Sequence, residues 1–267
     1  MKTLLIALFL FSRCSLAADA HHIYPIDSEM GGIESIYTKP LVEFLKSSRT
    51  FSSLVSPDAA KDSNPVKIQA YATPGNELFI GVGQSMTINA PLGAVEAVLD
   101  DFPNYKNIFD GLEEVKVKES DGNRSVVFLE QHIGIPFVAN EKNDMIYLTD
   151  HSLPQKKMYR YQVRKSVHMI SNDGVIVIEA LSPTLTAYTE FDFWDAHWGL
   201  AKAVKSNNGI WEDNVEGLYN SDLTVKLKSE HPDWSNHKLK DAAKEGTDKA
   251  KLGERVKQKI RFEFLKR

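Results

Sequence analysis

Glu130 and His132 stand two apart in an alternating stretch, so one face of a strand would carry both. A carboxylate and an imidazole at that spacing have the parts of an acid–base pair. The commoner outcome for such a pair is the solvated face of a half-exposed strand. A second grouping lies near the start, Asp19-Ala20-His21-His22. If the chain began at Asp19, its free amine, two backbone nitrogens and His21 would make a square-planar site suited to copper or nickel. Other chemistry lacks its residues. Cys14 is the only cysteine, and there is no Gly-x-Ser-x-Gly, no phosphate-cradling glycine loop and no dinucleotide fingerprint. The eight histidines are scattered, without His-x-x-x-His or Glu-x-x-His spacing. The sequence therefore assigns no catalytic residue, no metal and no cofactor.

The elements that would position any site begin after an export signal. Lys2 supplies a short positive region, Leu4 to Phe11 is an apolar run, and small residues follow at Ser15, Ala17, Ala18 and Ala20. That order reads as a signal peptide over residues 1–20, cleaved near Ala17 or Ala20, and predicts a periplasmic or secreted protein. The apolar run falls well short of the roughly 20 residues that span a bilayer. Cleavage removes Cys14, so the mature chain has no disulfide and stands on its core alone. At 42% hydrophobic residues it can build one.

Charge divides the chain. Residues 236–267 hold eleven basic and five acidic side chains, net +6, whereas the rest holds 21 basic and 31 acidic, net −10. An acidic body with a basic tail is a poor partner for nucleic acid. The tail suits an anionic membrane or polymer, or equally a solvated helix docked on its own acidic body.

Residues 21–65 read as a helical extension and linker. Ile33, Ile36, Tyr37, Leu41, Phe44 and Leu45 recur at helical spacing, and the polar stretch Ser56 to Pro65 follows. From Val66 the period becomes two. Strands are expected over Val66 to Ala70 and Leu78 to Ile88, then a helix from Asn89 or Pro91 to Phe102. A meander follows, with hairpin turns placed at Asp121-Gly122-Asn123, His151 to Pro154 and Asn172-Asp173-Gly174. Its strands can only pair antiparallel. Trp211, Val215, Leu218 and Val225 then mark one stripe of a long helix, and residues 231–267 read as a basic helical tail ending in an alternating Ile260, Phe262 and Phe264.

Two segments carry a likeness to a known family. One is Val82-Gly83-Gln84-Ser85-Met86-Thr87-Ile88-Asn89-Ala90-Pro91 running into Val95-Glu96-Ala97-Val98-Leu99-Asp100-Asp101-Phe102-Pro103-Asn104-Tyr105. The other is Asn172-Asp173-Gly174-Val175-Ile176-Val177-Ile178-Glu179 followed by Thr186-Ala187-Tyr188-Thr189-Glu190-Phe191. With this order of elements, residues 66–230 resemble the START and polyketide-cyclase-like (SRPBCC) superfamily. The resemblance implies an α+β helix-grip fold: a curved antiparallel sheet around a long C-terminal helix, here with extra segments at both ends. It also implies a binder of a lipid, sterol or other hydrophobic small molecule, as carrier or sensor. Some relatives are cyclases or dehydratases, so an enzyme is the alternative; an interaction module with a vestigial cavity is the third. Strand alternation and the helix stripe nominate lining residues: Met86, Ile88, Val127, Leu129, Tyr159, Tyr161, Val163, Phe191, Phe193, Trp211, Val215 and Leu218. Any of these would equally serve as ordinary core. Tyr161 and Trp211 stand out, because each has an apolar body and a polar tip that needs a partner.

Overall fold

The computed structural model describes residues 24–25, 34–35, 66–72, 78–132, 139–196 and 208–252. Eight strands form one antiparallel sheet: β3 (Val66–Ala72), β4 (Leu78–Ile88), β5 (Leu112–Asp121), β6 (Arg124–Gln131), β7 (Glu141–Leu153), β8 (Lys156–Lys165), β9 (Met169–Ser182) and β10 (Leu185–Ala196). Their spatial order is β3-β4-β10-β9-β8-β7-β6-β5. The last strand of the meander thus returns beside β4, with Thr186 opposite Ile88 and Glu190 opposite Gln84. Helices α1 (Leu92–Asp100) and α2 (Tyr105–Ile108) fill the β4–β5 connection, and α3 (Asn208–Glu230) and α4 (Asn236–Ala250) follow the sheet. This is the helix-grip order expected from the sequence. Upstream, a two-residue ladder pairs β1 (Tyr24–Pro25) with β2 (Glu34–Ser35), inside the segment read as a helical extension. The rest of that helix, the signal segment with Asp19 to His22, and the tail from Gly253 onward lie outside the described residues.

The strands form where alternation is strongest. In β8, Tyr159, Tyr161 and Val163 are buried while Arg160 and Gln162 between them are half-buried. Pro91 precedes α1 with φ −59°, and its carbonyl accepts from Ala94 N at 2.9 Å. Val95 and Leu99, four apart, give α1 its buried stripe. The turn at Gly122 has φ +53°, which glycine adopts without a Cβ penalty. The main core gathers Ile88, Val95, Ile108, Val127, Tyr159, Ile178, Tyr188, Val225 and Leu239 between the sheet and the helices. Ser235 caps α4 by accepting from Lys238 N at 3.3 Å, and Leu239, Ala243 and Thr247 form its buried face. The first half of the expected tail is therefore packed on the body, with Lys240 paired to Asp110 at 3.3 Å.

One turn differs from the sequence reading. Asn172-Asp173-Gly174 lies inside β9, and the β8–β9 reversal falls at Ser166–His168. The cause is Glu141, 1% exposed, whose carboxylate accepts from Ser166 Oγ (2.6 Å), Val167 N (3.1 Å) and His168 N (3.0 Å). A buried carboxylate gathering three donors fixes the turn more firmly than local Asn-Asp-Gly preference. Glu141→Ala is expected to lower stability by about 2 kcal/mol, because those donors lose their acceptor. Chemical denaturation would read this; an unchanged midpoint would mean the turn holds without Glu141.

Candidate functional site

The inner face of β10 is where sheet and long helix meet, and it is acidic. Tyr188, Glu190 and Asp192 alternate along it, and all three are buried. Asp222 reaches the same point from α3 and is 1% exposed. Tyr161 arrives from β8, two strands away. It can span the gap because the residue between it and Asp192 in the register is Gly174, which has no side chain. The Tyr161 hydroxyl lies 2.7 Å from Glu190 Oε1 and 2.9 Å from Asp192 Oδ1. The Tyr188 hydroxyl lies 3.1 Å from Glu190 Oε2 and 2.8 Å from Asp222 Oδ1. Two phenol protons thus serve four carboxylate contacts on three acids.

Three carboxylates at such close quarters in a dry interior do not all ionise. Asp222 carries the consequence. Burial first, and then the charge of Glu190, push its carboxyl well above the ordinary range; a bond from Tyr188 only partly offsets this. Its Oδ2 has no hydrogen bond of good geometry. Burial likewise raises Tyr161 and Tyr188, so both remain protonated donors. Gln84, directly opposite Glu190, is fully buried, and neither its Oε1 nor its Nε2 has a hydrogen-bond partner.

A cavity of about 390 Å³ opens beside this cluster. Asp192, Met169 and Asn172 form its sheet wall. Asp213, Glu216, Gly217, Leu218 and Ser221 of α3 form the helix wall, and Lys244, Thr247 and Asp248 of α4 close one side. The C-terminal half of α3 behaves differently. Val225 joins the packed core, Lys226 Nζ donates to Thr87 O at 2.5 Å, and Glu230 accepts from Asn89 N at 2.7 Å. Between that end of α3 and α1 lies a second, smaller cavity of about 250 Å³, lined by Ala94, Val98, Ile108, Lys228 and Ser229.

The nominated residues distribute accordingly. Met86, Ile88, Val127 and Tyr159 belong to the main core, with Leu129 packed against it. Tyr161 and Val163 form a smaller cluster with Met145. Val215 is buried on α3, and Leu218 lines the 390 Å³ cavity. The side chains of Phe191, Phe193 and Trp211 lie outside the described residues. Glu130 and His132 sit at the rim of the sheet: Glu130 pairs with Lys142 at 3.3 Å, and His132 is 3.5 Å from Glu113. The reading missed Tyr188, Glu190, Asp192, Asp222 and Gln84. Two signals could have found them. Asp222 interrupts the Val215, Leu218, Val225 stripe where an apolar residue belongs, and Gln84 shares the parity of Met86 and Ile88.

A separate cluster lies under α1. Glu96, Asp100 and His151 place three potential ligand atoms within 4.8 Å of one another. His151 Nδ1 is already 2.8 Å from Glu96 Oε1, and Lys157 Nζ lies 3.6 Å from it. Both partners thus already engage one oxygen of the Glu96 carboxylate.

No family model and no curated protein matches the chain. Among solved structures, it is similar to the Zhui aromatase/cyclase from a Streptomyces species at 17% identity, covering 57% of this chain and 94% of that one, TM-score 0.47. It is similar to a STAR-related lipid transfer protein from Xanthomonas axonopodis at 10% identity, covering 64% and 96%, TM-score 0.49. Human STARD10 matches at 15% identity, covering 65% and 73%, TM-score 0.47.

Proposed function

We propose that this protein is exported and binds a hydrophobic small molecule inside the grip, as a carrier or sensor and not as an enzyme. The cavity between the first half of α3 and the sheet carries the reading. Its volume falls within the range of small-molecule pockets, with Met169 and Leu218 as apolar wall. The signal-like first 20 residues support export. The charged outer side of α4 and the basic tail are where contact with an anionic membrane would be made.

Native mass spectrometry of the mature protein from its own host, followed by organic extraction, tests this. A co-purifying apolar molecule near one per chain is the expected result. A clean apo mass with no uptake from a lipid extract would overturn the reading. One observation favours the alternative of a cyclase- or dehydratase-type enzyme: Asp222, a buried acid whose carboxyl burial pushes well above the ordinary range. That alternative requires the extracted molecule to be converted on incubation with the protein, and Asp222→Asn to stop the conversion.

A further inference from the structure

We propose that Glu96, Asp100 and His151 form a site for a zinc-like divalent transition-metal ion, which ties α1 to the β7–β8 hairpin. Each residue offers one ligand atom, and the three atoms lie within 4.8 Å of one another. Local structure delivers them there. Glu96 and Asp100 stand four apart on α1, so one face of that helix carries both carboxylates. His151 comes from the end of β7, beside the turn into β8. Two ligands about 2.1 Å from a shared ion, at ordinary coordination angles, are about 2.8–3.4 Å apart. His151 Nδ1 and Glu96 Oε1, at 2.8 Å, fall at the short end of that range. A hydrogen bond fits the same distance with Nδ1 donating. Coordination instead makes Nδ1 the electron-pair donor to the ion, with the ring proton on Nε2.

A second observation points to an ion independently. Tyr159 lies beneath the cluster, 2% exposed, with its ring 6.0 Å from that of His151. Its hydroxyl is directed at Asp100, yet it is buried without a hydrogen bond of good geometry. A buried phenol oxygen with an unmet bond suits a place behind a metal ligand, orienting it or holding a water bound to the ion. The competitor for the site is Lys157, whose Nζ lies 3.6 Å from Glu96 Oε1. It brings one positive charge to two carboxylates, where a divalent ion brings two and adds the bond to the imidazole. That nitrogen also sets the preference. Calcium and magnesium take oxygen ligands, whereas imidazole with carboxylate suits zinc.

The test is calorimetry and thermal melting of the purified protein with zinc chloride. Zinc is expected to raise the melting temperature by about 5 °C or more at a hundredfold excess over its dissociation constant. His151→Gln should weaken binding about tenfold or more and remove that rise. Asp100→Asn should do the same; its side chain is exposed, so it keeps the test available if His151→Gln does not fold. Lys157→Gln, which removes the competing cation, should tighten binding. His21 and His22 offer zinc a separate pair of ligands, so a variant with both changed to Ala is the control and should keep the melting rise. A rise lost in that control but kept in His151→Gln and Asp100→Asn would overturn the site. Calcium binding as tightly as zinc would overturn the role of the imidazole, and no zinc uptake would overturn the proposal outright.

Discussion

Leu239→Ala is expected to lower stability by about 2–5 kcal/mol, the range for emptying a fully buried leucine site. Leu239 is on α4, in the segment that composition marks as a charged tail, yet it is 0% exposed and belongs to the main core with Val225 and Ile108. A leucine on a detachable tail would give a change near zero. Urea denaturation distinguishes the two, with Lys249→Ala as the comparison: its partner Glu245 is exposed, so its loss should barely register. If Leu239→Ala matched Lys249→Ala, α4 would be an appendage and the closure of the cavity by Lys244 and Asp248 would fall with it.

The second large effect is a slope. Asp222 has a folded-state carboxyl well above its unfolded value, so the native chain holds a proton that the unfolded chain releases. Stability contributed this way is complete below the unfolded value near 4. It is lost as pH rises toward the folded value, at up to about 1.4 kcal/mol per pH unit. Asp222→Asn removes the titrating group while keeping the shape. The variant should match wild type near pH 4 and gain on it steadily above, until the pH reaches the folded-state value of Asp222. Taking the difference between the two proteins matters, because Asp100 is also raised by burial and titrates in both. Parallel curves for wild type and Asp222→Asn would show that the proton resides elsewhere.

These two residues also mark what the sequence made legible and what it did not. Element order followed from period: Leu78 to Ile88 alternates, α1 has Val95 and Leu99 four apart, and Gly122 marks a turn with positive φ. The site did not follow. Alternation in β10 offers two sets, Phe191 with Phe193 and Glu190 with Asp192, and the ordinary preference for burying aromatics chooses the first. What puts Glu190 and Asp192 inside is chiefly non-local: the Tyr161 hydroxyl from β8 and room over Gly174, joined by one local donor, Tyr188, two residues from Glu190. The Tyr161 contact has no trace within a few residues of β10. The turn after β8 went astray for the same reason, since Glu141 sets it from 25 residues away.

The pairing of β4 with β10 bears on the order in which the chain can fold. Ser85 meets Thr189 across 104 residues, and Lys226 reaches Thr87 across 139. Closing loops of that length is slow and brings no reward until both ends are present. A chain emerging N-terminus first therefore lacks the central partner of β4 until residue 196 has been made, and lacks its helix until residue 230. For the export proposed here this is useful kinetics. A secretion channel passes an unfolded thread, and a protein whose β4 must wait for β10 keeps itself threadable through most of its own synthesis.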